Sequence, residues 1–91
     1  MRLKPNEYKI IKNVLNEIFL APKIYLFGSR LDDNKTGGDI DLYVISSIST
    51  FQKKLQAQAK LKRLLHKPID IVLHKDFSRD IEQEALQGKL L

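Results

Sequence analysis

Three short β-prone runs, separated by one polar loop and one helix-length segment, most constrain what this chain can fold into. The runs cover residues 24–27, 39–45 and 69–73. About ten residues separate the first two runs, fewer than a parallel crossover usually needs, so we expect those strands to be antiparallel or strongly splayed. Segment 51–66 is long enough to be a helical crossover to the third run. The pattern therefore predicts a small mixed β-sheet of three or more strands.

Helical periodicity predicts three helices packed on this sheet. Apolar residues recur at helical spacing over residues 5–20 and 51–66. We expect a last helix to open at Asp76 or Ser78 and to stop at Gly88. The element order is then α-β-β-α-β-α, an α/β fold. The residues expected to face the sheet from the last two helices are Phe51, Leu55, Leu61, Leu64, Leu65, Phe77, Ile81, Ala85 and Leu86.

Length and composition fit a single domain spanning residues 1–91. A chain of 91 residues supports one modest core, and 43% hydrophobic with 30% charged residues is typical of a globular chain. No apolar run exceeds four residues, which excludes a membrane-spanning helix. The lack of cysteine excludes disulfides, zinc thiolates and thiol nucleophiles. We expect a cytoplasmic protein that does not associate with membranes.

The chain is basic, and its charges are segregated. Sixteen Lys and Arg against eleven Asp and Glu give a formal net charge of +5, which favours anionic partners such as nucleotides, nucleic acid or an acidic protein. Residues 53–67 hold six basic residues and no acid. This stretch is interpreted as a solvated helix face, with RNA binding as the weaker alternative. Residues 32–41 hold four aspartates, and an acidic cluster in a basic protein indicates a metal-dependent site.

Asp39 and Asp41 are two residues apart on the second strand, so their side chains project from the same face. Parallel carboxylates repel each other unless a cation lies between them, and Mg²⁺ prefers such hard oxygen ligands. Asp70 lies in an otherwise apolar third strand, where burying an unpaired charge is costly. Sharing a metal with the first two acids would remove that cost. Asp39, Asp41 and Asp70 are therefore the candidate metal ligands and catalytic residues, with two Mg²⁺ ions as the expected arrangement.

Gly28 and Ser29 follow the first strand directly. A glycine lets a phosphate approach the backbone closely, and the serine hydroxyl adds a hydrogen-bond donor. Arg30 could neutralise a developing pyrophosphate. The predicted nucleotide-binding residues are therefore Gly28, Ser29 and Arg30.

Together, Gly28-Ser29, the spaced Asp39 and Asp41, and Asp70 on an apolar strand resemble the minimal nucleotidyltransferases of the DNA polymerase beta-type superfamily. The resemblance covers nearly the whole chain. Nine residues separate Ser29 from Asp39, one fewer than that family usually has, which is a small change for a loop.

The resemblance implies a reaction and a partner. In that family the Gly-Ser pair binds the triphosphate, the first two acids hold Mg²⁺, and the third acid completes the metal site and assists the acceptor hydroxyl. Many small members are antitoxins encoded with a HEPN-type ribonuclease toxin, and some transfer AMP from ATP to a toxin tyrosine. We therefore expect Mg²⁺-dependent transfer of a nucleotide, AMP from ATP, to a tyrosine of such a toxin.

Two other functions stay open at this level. The protein could be a non-catalytic antitoxin that blocks its partner by binding and occlusion, or a basic nucleic-acid-binding module whose acids are structural. A chain of this size holds no second domain to grip an acceptor, so we expect a macromolecular partner to supply that surface. Exposed apolar faces of the first and last helices could form a homo- or hetero-oligomer.

Three further side chains have structural interpretations. His66 and His74 have no acidic or histidine neighbour at ligand spacing, so both are interpreted as surface or packing residues. Tyr43 alternates onto the face of the paired aspartates. Lining a nucleotide pocket and packing in the sheet are equal alternatives for it.

Overall fold

The predicted order of helices and strands is confirmed by a computed structural model, which describes residues 3–28 and 39–91. No helix of this described part is long and apolar enough to cross a membrane. The elements are α1 (Pro5–Ile18), β1 (Lys23–Phe27), β2 (Ile40–Ile45), α2 (Phe51–Leu65), β3 (Ile69–Leu73), α3 (Asp80–Leu86) and β4 (Lys89–Leu90).

The four strands form one mixed sheet in the order β3-β2-β1-β4. β1 and β2 pair antiparallel, with Phe27 opposite Asp41, as the short loop between them predicts. β2 and β3 pair parallel, with Asp41 beside Asp70, because α2 supplies the crossover that a parallel connection requires. β4 pairs antiparallel with β1. Two residues carry no readable alternation, so the sequence did not predict this fourth strand.

Alternation along the strands divides the buried residues between two faces of the sheet. One face carries the larger core, in which α1 and α2 pack on apolar residues of β1, β2 and β3. The opposite face carries a smaller cluster of Phe27, Tyr43 and Ala85, where α3 packs on β1 and β2. The side chains of Asp41 and Asp70 belong to this second face, because they are in phase with Tyr43 on their strands.

Five residues of α2 were predicted to face the sheet, and for three of them this prediction is wrong. Leu61 and Leu65 are buried, but Phe51 is 66% exposed, Leu55 46% and Leu64 45%. The buried stripe follows Ala57, Leu61 and Leu65 at a spacing of four residues, which is one narrow face of a helix. The other three apolar residues lie outside that stripe.

The start of α3 also differs from the prediction. The helix begins at Asp80, because Asp76 Oδ1 accepts hydrogen bonds from both the backbone N–H and the hydroxyl of Ser78, which forms a turn instead. Phe77 has a φ of +68° and is 43% exposed. It lies before the helix and packs against the ring of His74, so it is not part of the inner face of α3. The predicted stop is confirmed, since α3 ends at Leu86 and Gly88 packs against the backbone carbonyl of Leu26.

We expect Leu61→Ala to lower the free energy of unfolding by about 2–5 kcal/mol, because Leu61 is fully buried between α2 and the sheet. Urea unfolding monitored by circular dichroism measures this change. Leu64→Ala on the same helix is the matched control and should cost less than about 1 kcal/mol, since that side chain is largely in solvent. Equal losses for the two variants would contradict the assignment of the buried face.

Candidate active site

Parallel pairing of β2 with β3 brings two of the three predicted acids side by side. Asp41 and Asp70 are each the second residue of their strand and are in register. Neighbouring strands of a sheet lie about 4.8 Å apart, so the two residues are adjacent across the strand pair. Asp39 lies one residue before β2 and is exposed. Asp41 and Asp70 therefore lie side by side where both strands begin, on the face that α3 partly covers, and Asp39 lies two residues before Asp41 in the chain.

The electrostatics of Asp41 reflect this grouping. Burial raises the pKa of the Asp41 carboxyl, and the negative charges of Asp70, Asp39 and Glu84 raise it further. Glu84 comes from α3, and nothing in the sequence pattern marked it as a neighbour of the aspartates. Its position follows from the packing of α3 across this face.

Gly28 lies directly against the Asp41 carboxylate. Its φ is +78°, and a Cβ atom built on it would collide with Asp41 Oδ2. Only glycine meets both requirements, the left-handed backbone and the close approach. The predicted residues Ser29 and Arg30 lie outside the described residues, so of the predicted nucleotide-binding residues the structure describes Gly28 alone.

The acids at this edge suit a hard divalent cation chemically but do not form a closed cage. Within residues 3–28 and 39–91, no three His, Cys, Asp or Glu side chains lie close enough to hold a metal ion. The carboxylates instead form an open set of oxygen donors, and the pKa of Asp41 among them is raised by burial and then by repulsion from the other acids. Mg²⁺ accepts one or two carboxylates and takes its remaining ligands from water and phosphate, so an open set of this type fits it.

The face of the sheet that α3 covers also holds a buried carboxylate, Glu82, which was not identified from the sequence. Glu82 is fully buried. Its Oε1 accepts a hydrogen bond from the Tyr43 hydroxyl at 2.7 Å and from the Lys75 backbone N–H at 2.9 Å. Its Oε2 accepts one from Arg79 Nε at 2.9 Å, and His74 Nδ1 lies 2.9 Å from Oε1. Glu82 thus ties α3 to β2 and to the turn after β3.

These hydrogen bonds decide the ionisation of Glu82. Burial alone would raise its pKa, but the donors from Lys75, Arg79, Tyr43 and His74 outweigh burial and hold the pKa well below its ordinary range. The glutamate is therefore a charged and satisfied buried group.

The network also settles the interpretations of Tyr43 and His74. Tyr43 is fully buried, so it packs in the sheet and does not line a pocket. Burial and its hydrogen bond to Glu82 raise the pKa of its hydroxyl. His74 packs as expected, but the expectation that it has no acidic neighbour is wrong, because the turn after β3 folds α3 back and places Glu82 against its ring. His66 is exposed, as expected.

The sheet order, the aspartates at the strand starts and the glycine turn beside them define a nucleotidyltransferase-type α/β fold. A family model for the polymerase beta nucleotidyltransferases matches residues 9–91. The chain belongs to this polymerase beta nucleotidyltransferase family. A search of curated proteins found no significant match.

Solved structures of similar chains have the same fold, and those named as toxin–antitoxin pairs point to one branch of this family. A chain of a mutant of the toxin–antitoxin pair MntA–HpeT is 29% identical, with a TM-score of 0.75 over 94% of this chain and 70% of that chain. A chain from the complex of a tri-AMPylated HEPN toxin with an MNT antitoxin of Shewanella oneidensis is 28% identical, with a TM-score of 0.72 over 93% and 67%. Another Shewanella oneidensis structure, at 18% identity and a TM-score of 0.78 over 98% and 71%, shows the fold alone. The resemblance to minimal nucleotidyltransferases is confirmed.

We expect Glu82→Gln to lower the free energy of unfolding at pH 7 by about 2–3 kcal/mol, because the charge-assisted hydrogen bonds to this carboxylate are weakened inside the fold. The pKa of Glu82 is lower in the folded than in the unfolded chain. The carboxylate therefore stabilises the fold above its ordinary pKa of 4.5, and this contribution is lost as the pH falls below that value.

Urea unfolding of wild type and Glu82→Gln between pH 3 and pH 7 measures both effects. The two stabilities should converge toward low pH. Glu84→Gln, on the exposed side of the same helix, is the control and should not destabilise the protein. A difference between wild type and Glu82→Gln that is constant over this range would contradict the ionised state of Glu82.

For Asp41→Asn we expect the opposite sign, a gain of about 0.5–1 kcal/mol at pH 7 in EDTA, because one charge leaves a set of repelling carboxylates at a partly solvated site. The pKa of Asp41 is raised by folding, so its ionised form weakens the fold above the ordinary pKa of 3.8. The gain should disappear as the pH falls through that value. Thermal unfolding at pH 3 and pH 7 measures it, and a less stable variant at pH 7 would refute the repulsion.

Proposed function

We propose that this protein is a Mg²⁺-dependent nucleotidyltransferase that transfers AMP from ATP to a tyrosine hydroxyl of a HEPN-type toxin and thereby acts as its antitoxin. The observation that carries this proposal is the register of Asp41 with Asp70, with Asp39 beside them and Gly28 against the Asp41 carboxylate. These are the groups that this chemistry needs, grouped at one edge of the sheet in a chain of the nucleotidyltransferase family.

The residues have distinct roles in the proposed reaction. Asp39, Asp41 and Asp70 would hold Mg²⁺, which would neutralise the phosphate charges and polarise the α-phosphate. Gly28 keeps the backbone directly against Asp41, because its left-handed φ and this contact leave no place for a Cβ atom. Its backbone is proposed as a phosphate contact. Ser29 and Arg30 are proposed as further contacts to the triphosphate.

The proposed transfer is a single displacement at the α-phosphorus of ATP. The tyrosine oxygen forms a bond to that phosphorus, the bond to the pyrophosphate oxygen breaks, and pyrophosphate leaves. Asp70 is exposed at the start of β3 and is proposed to accept the hydroxyl proton, which then passes to solvent. No oxidant or further co-reactant is needed for this balance.

The partner is proposed from the solved relatives. In one of them an MNT antitoxin is bound to a HEPN toxin that carries three AMP groups, and another is a toxin–antitoxin pair. The same acceptor class suits a chain whose described residues include no separate substrate-gripping domain. Capping a toxin tyrosine with AMP adds bulk and negative charge, which would neutralise the toxin. Because ATP is made and used there, the cytoplasm is the proposed compartment.

Asp39→Asn is expected to reduce AMP transfer by at least about 1,000-fold, because a metal-binding carboxylate would be lost from the reacting centre. The assay incubates the protein with ATP, Mg²⁺ and the product of the neighbouring gene as the proposed HEPN-type partner, and intact-mass spectrometry counts AMP groups on that partner. EDTA should abolish transfer by wild type. Glu17→Gln, an exposed acid on α1, is the matched control and should transfer normally.

The same assay separates the alternatives. If a stable complex forms without any added mass, and the toxin is still neutralised by Asp39→Asn, the protein is a non-catalytic antitoxin that acts by occlusion. Neither complex nor transfer, together with salt-dependent RNA binding that survives loss of all three aspartates, would indicate the nucleic-acid-binding module.

A further inference from the structure

We propose that the outer face of α2 is the docking surface for the partner protein, and that it receives a surface on which carboxylates lie beside apolar side chains. By the α2 outer face we mean Phe51, Leu55, Ala59 and Lys62 with the neighbouring Lys54. Positions 51, 55, 59 and 62 recur at spacings of four and three residues and therefore share one side of the helix. This inference rests on the proposed function, because it uses the HEPN-type toxin as the partner.

The apolar part of this face is continuous and not scattered. Phe51 and Leu55 are one turn apart and are 66% and 46% exposed. The face continues into a shallow hollow between α2 and the start of β3, lined by Leu55, Gln58, Ala59, Lys62, Pro68 and Ile69. Single exposed leucines are ordinary on a protein surface, but a run of apolar side chains that leads into a hollow is typical of an interaction site.

The charges show which partner this face fits. Of the six basic residues in 53–67, three are already engaged with α1. Lys53 Nζ donates to the backbone carbonyl of Ile18 at 3.1 Å, Lys60 pairs with Glu17 at 3.4 Å, and Lys67 pairs with Glu7 at 2.6 Å. Lys53 and Lys60 hold α2 to α1, and Lys67 holds the segment after α2 to α1.

Lys62 and Arg63 are exposed on α2, whereas Lys54 is half-buried, because it lies in line with the buried Ala57, Leu61 and Leu65. Within the described ranges 3–28 and 39–91, Lys62 and Arg63 pair with no acid, and α2 itself contains none. Lys54 lies 5.9 Å from the centre of the Phe51 ring, so charge and apolar surface alternate within one turn. A complementary surface therefore needs carboxylates next to apolar groups.

The same pattern favours a protein over RNA as the occupant. A phosphate backbone binds through a continuous track of cations, whereas here half of the basic residues contact α1. Of the other three, Lys54 is half-buried and is separated from the adjacent Lys62 and Arg63 by the exposed Leu55 and Ala59. The apolar side chains would lose little water on binding RNA phosphates. Against an apolar protein surface, they would be buried.

Docking at this edge must use side chains and not an added strand. β3 is an edge strand, but the Ile71 backbone N–H donates to Gln58 Oε1 at 2.8 Å. The side chain of Gln58 therefore occupies a backbone donor that an incoming strand would need. The surface that stays available is the helix face and the hollow beside it.

The location of the hollow links docking to the acids. Pro68 and Ile69 line it, and Asp70 follows them directly in the chain, with its side chain on the opposite face of the edge strand. A partner seated in the hollow is thus held beside the strand end that carries the candidate acids. This position would let the partner present a hydroxyl around the open edge of β3.

The test compares two double variants in the wild-type background. Leu55→Ser with Lys62→Gln alters the proposed surface, and Leu20→Ser with Lys9→Gln removes an exposed leucine and an exposed lysine elsewhere. Affinity for the product of the neighbouring gene, the proposed HEPN-type partner, is measured by titration calorimetry, and AMP transfer is followed by mass spectrometry. Thermal unfolding confirms that both variants fold.

We expect the α2 variant to raise the Kd and the apparent KM for the partner at least tenfold, while kcat at saturating partner changes less than twofold. The control variant should change each value less than twofold. If wild type binds without transferring AMP, the catalytic proposal fails, and the Kd comparison still decides the docking surface.

Three outcomes would overturn the docking inference. The first is equal affinity of wild type and the α2 variant, which would leave the proposed function intact. The second is an equal loss in both double variants. The third is the absence of any complex with wild type, which would also remove the proposed partner; if a labelled single-stranded RNA of mixed sequence then bound wild type but not the α2 variant, the face would be a nucleic-acid site.

Discussion

The parallel pairing of β2 with β3 is the constraint on which the site depends. It places Asp41 and Asp70 in register, so two like charges are held a strand spacing apart by backbone hydrogen bonds that neither side chain can relax. The pKa of Asp41 is raised, first by burial and then by the negative charges of Asp70, Asp39 and Glu84. Gly28 adds to the crowding, because its backbone lies against the same carboxylate. Such an arrangement weakens the isolated fold, and the cation proposed for this site would offset the repulsion.

Much of this could be predicted from the sequence, because burial leaves a periodic signal. The strands at 24–27 and 69–73 and the paired aspartates follow from alternation and from short apolar runs. The two-residue β4 has no period to read, and the inner face of α2 was assigned too broadly, since Phe51 and Leu55 are apolar but exposed. An apolar residue is buried only where another element of the fold packs against its side of the helix.

Glu82 marks the limit of sequence reasoning in this chain. A glutamate in a short polar helix has the pattern of a surface residue. Its donors come from β2, from the turn after β3 and from Arg79, the residue that precedes its own helix. Only the tertiary fold brings these groups together, so no local spacing could reveal them. The network matters for the site because it fixes α3, and α3 in turn brings Glu84 toward Asp41.

The hydrogen bond between Gln58 and Ile71 has a consequence for self-association. Exposed strand edges invite copies of the same chain to stack into larger sheets, and β3 forms one edge of this sheet. A glutamine amide on the crossover helix covers an edge donor without adding a charge or a proline. The chain thus discourages association with its own copies at an edge whose neighbouring groove stays open to a different molecule.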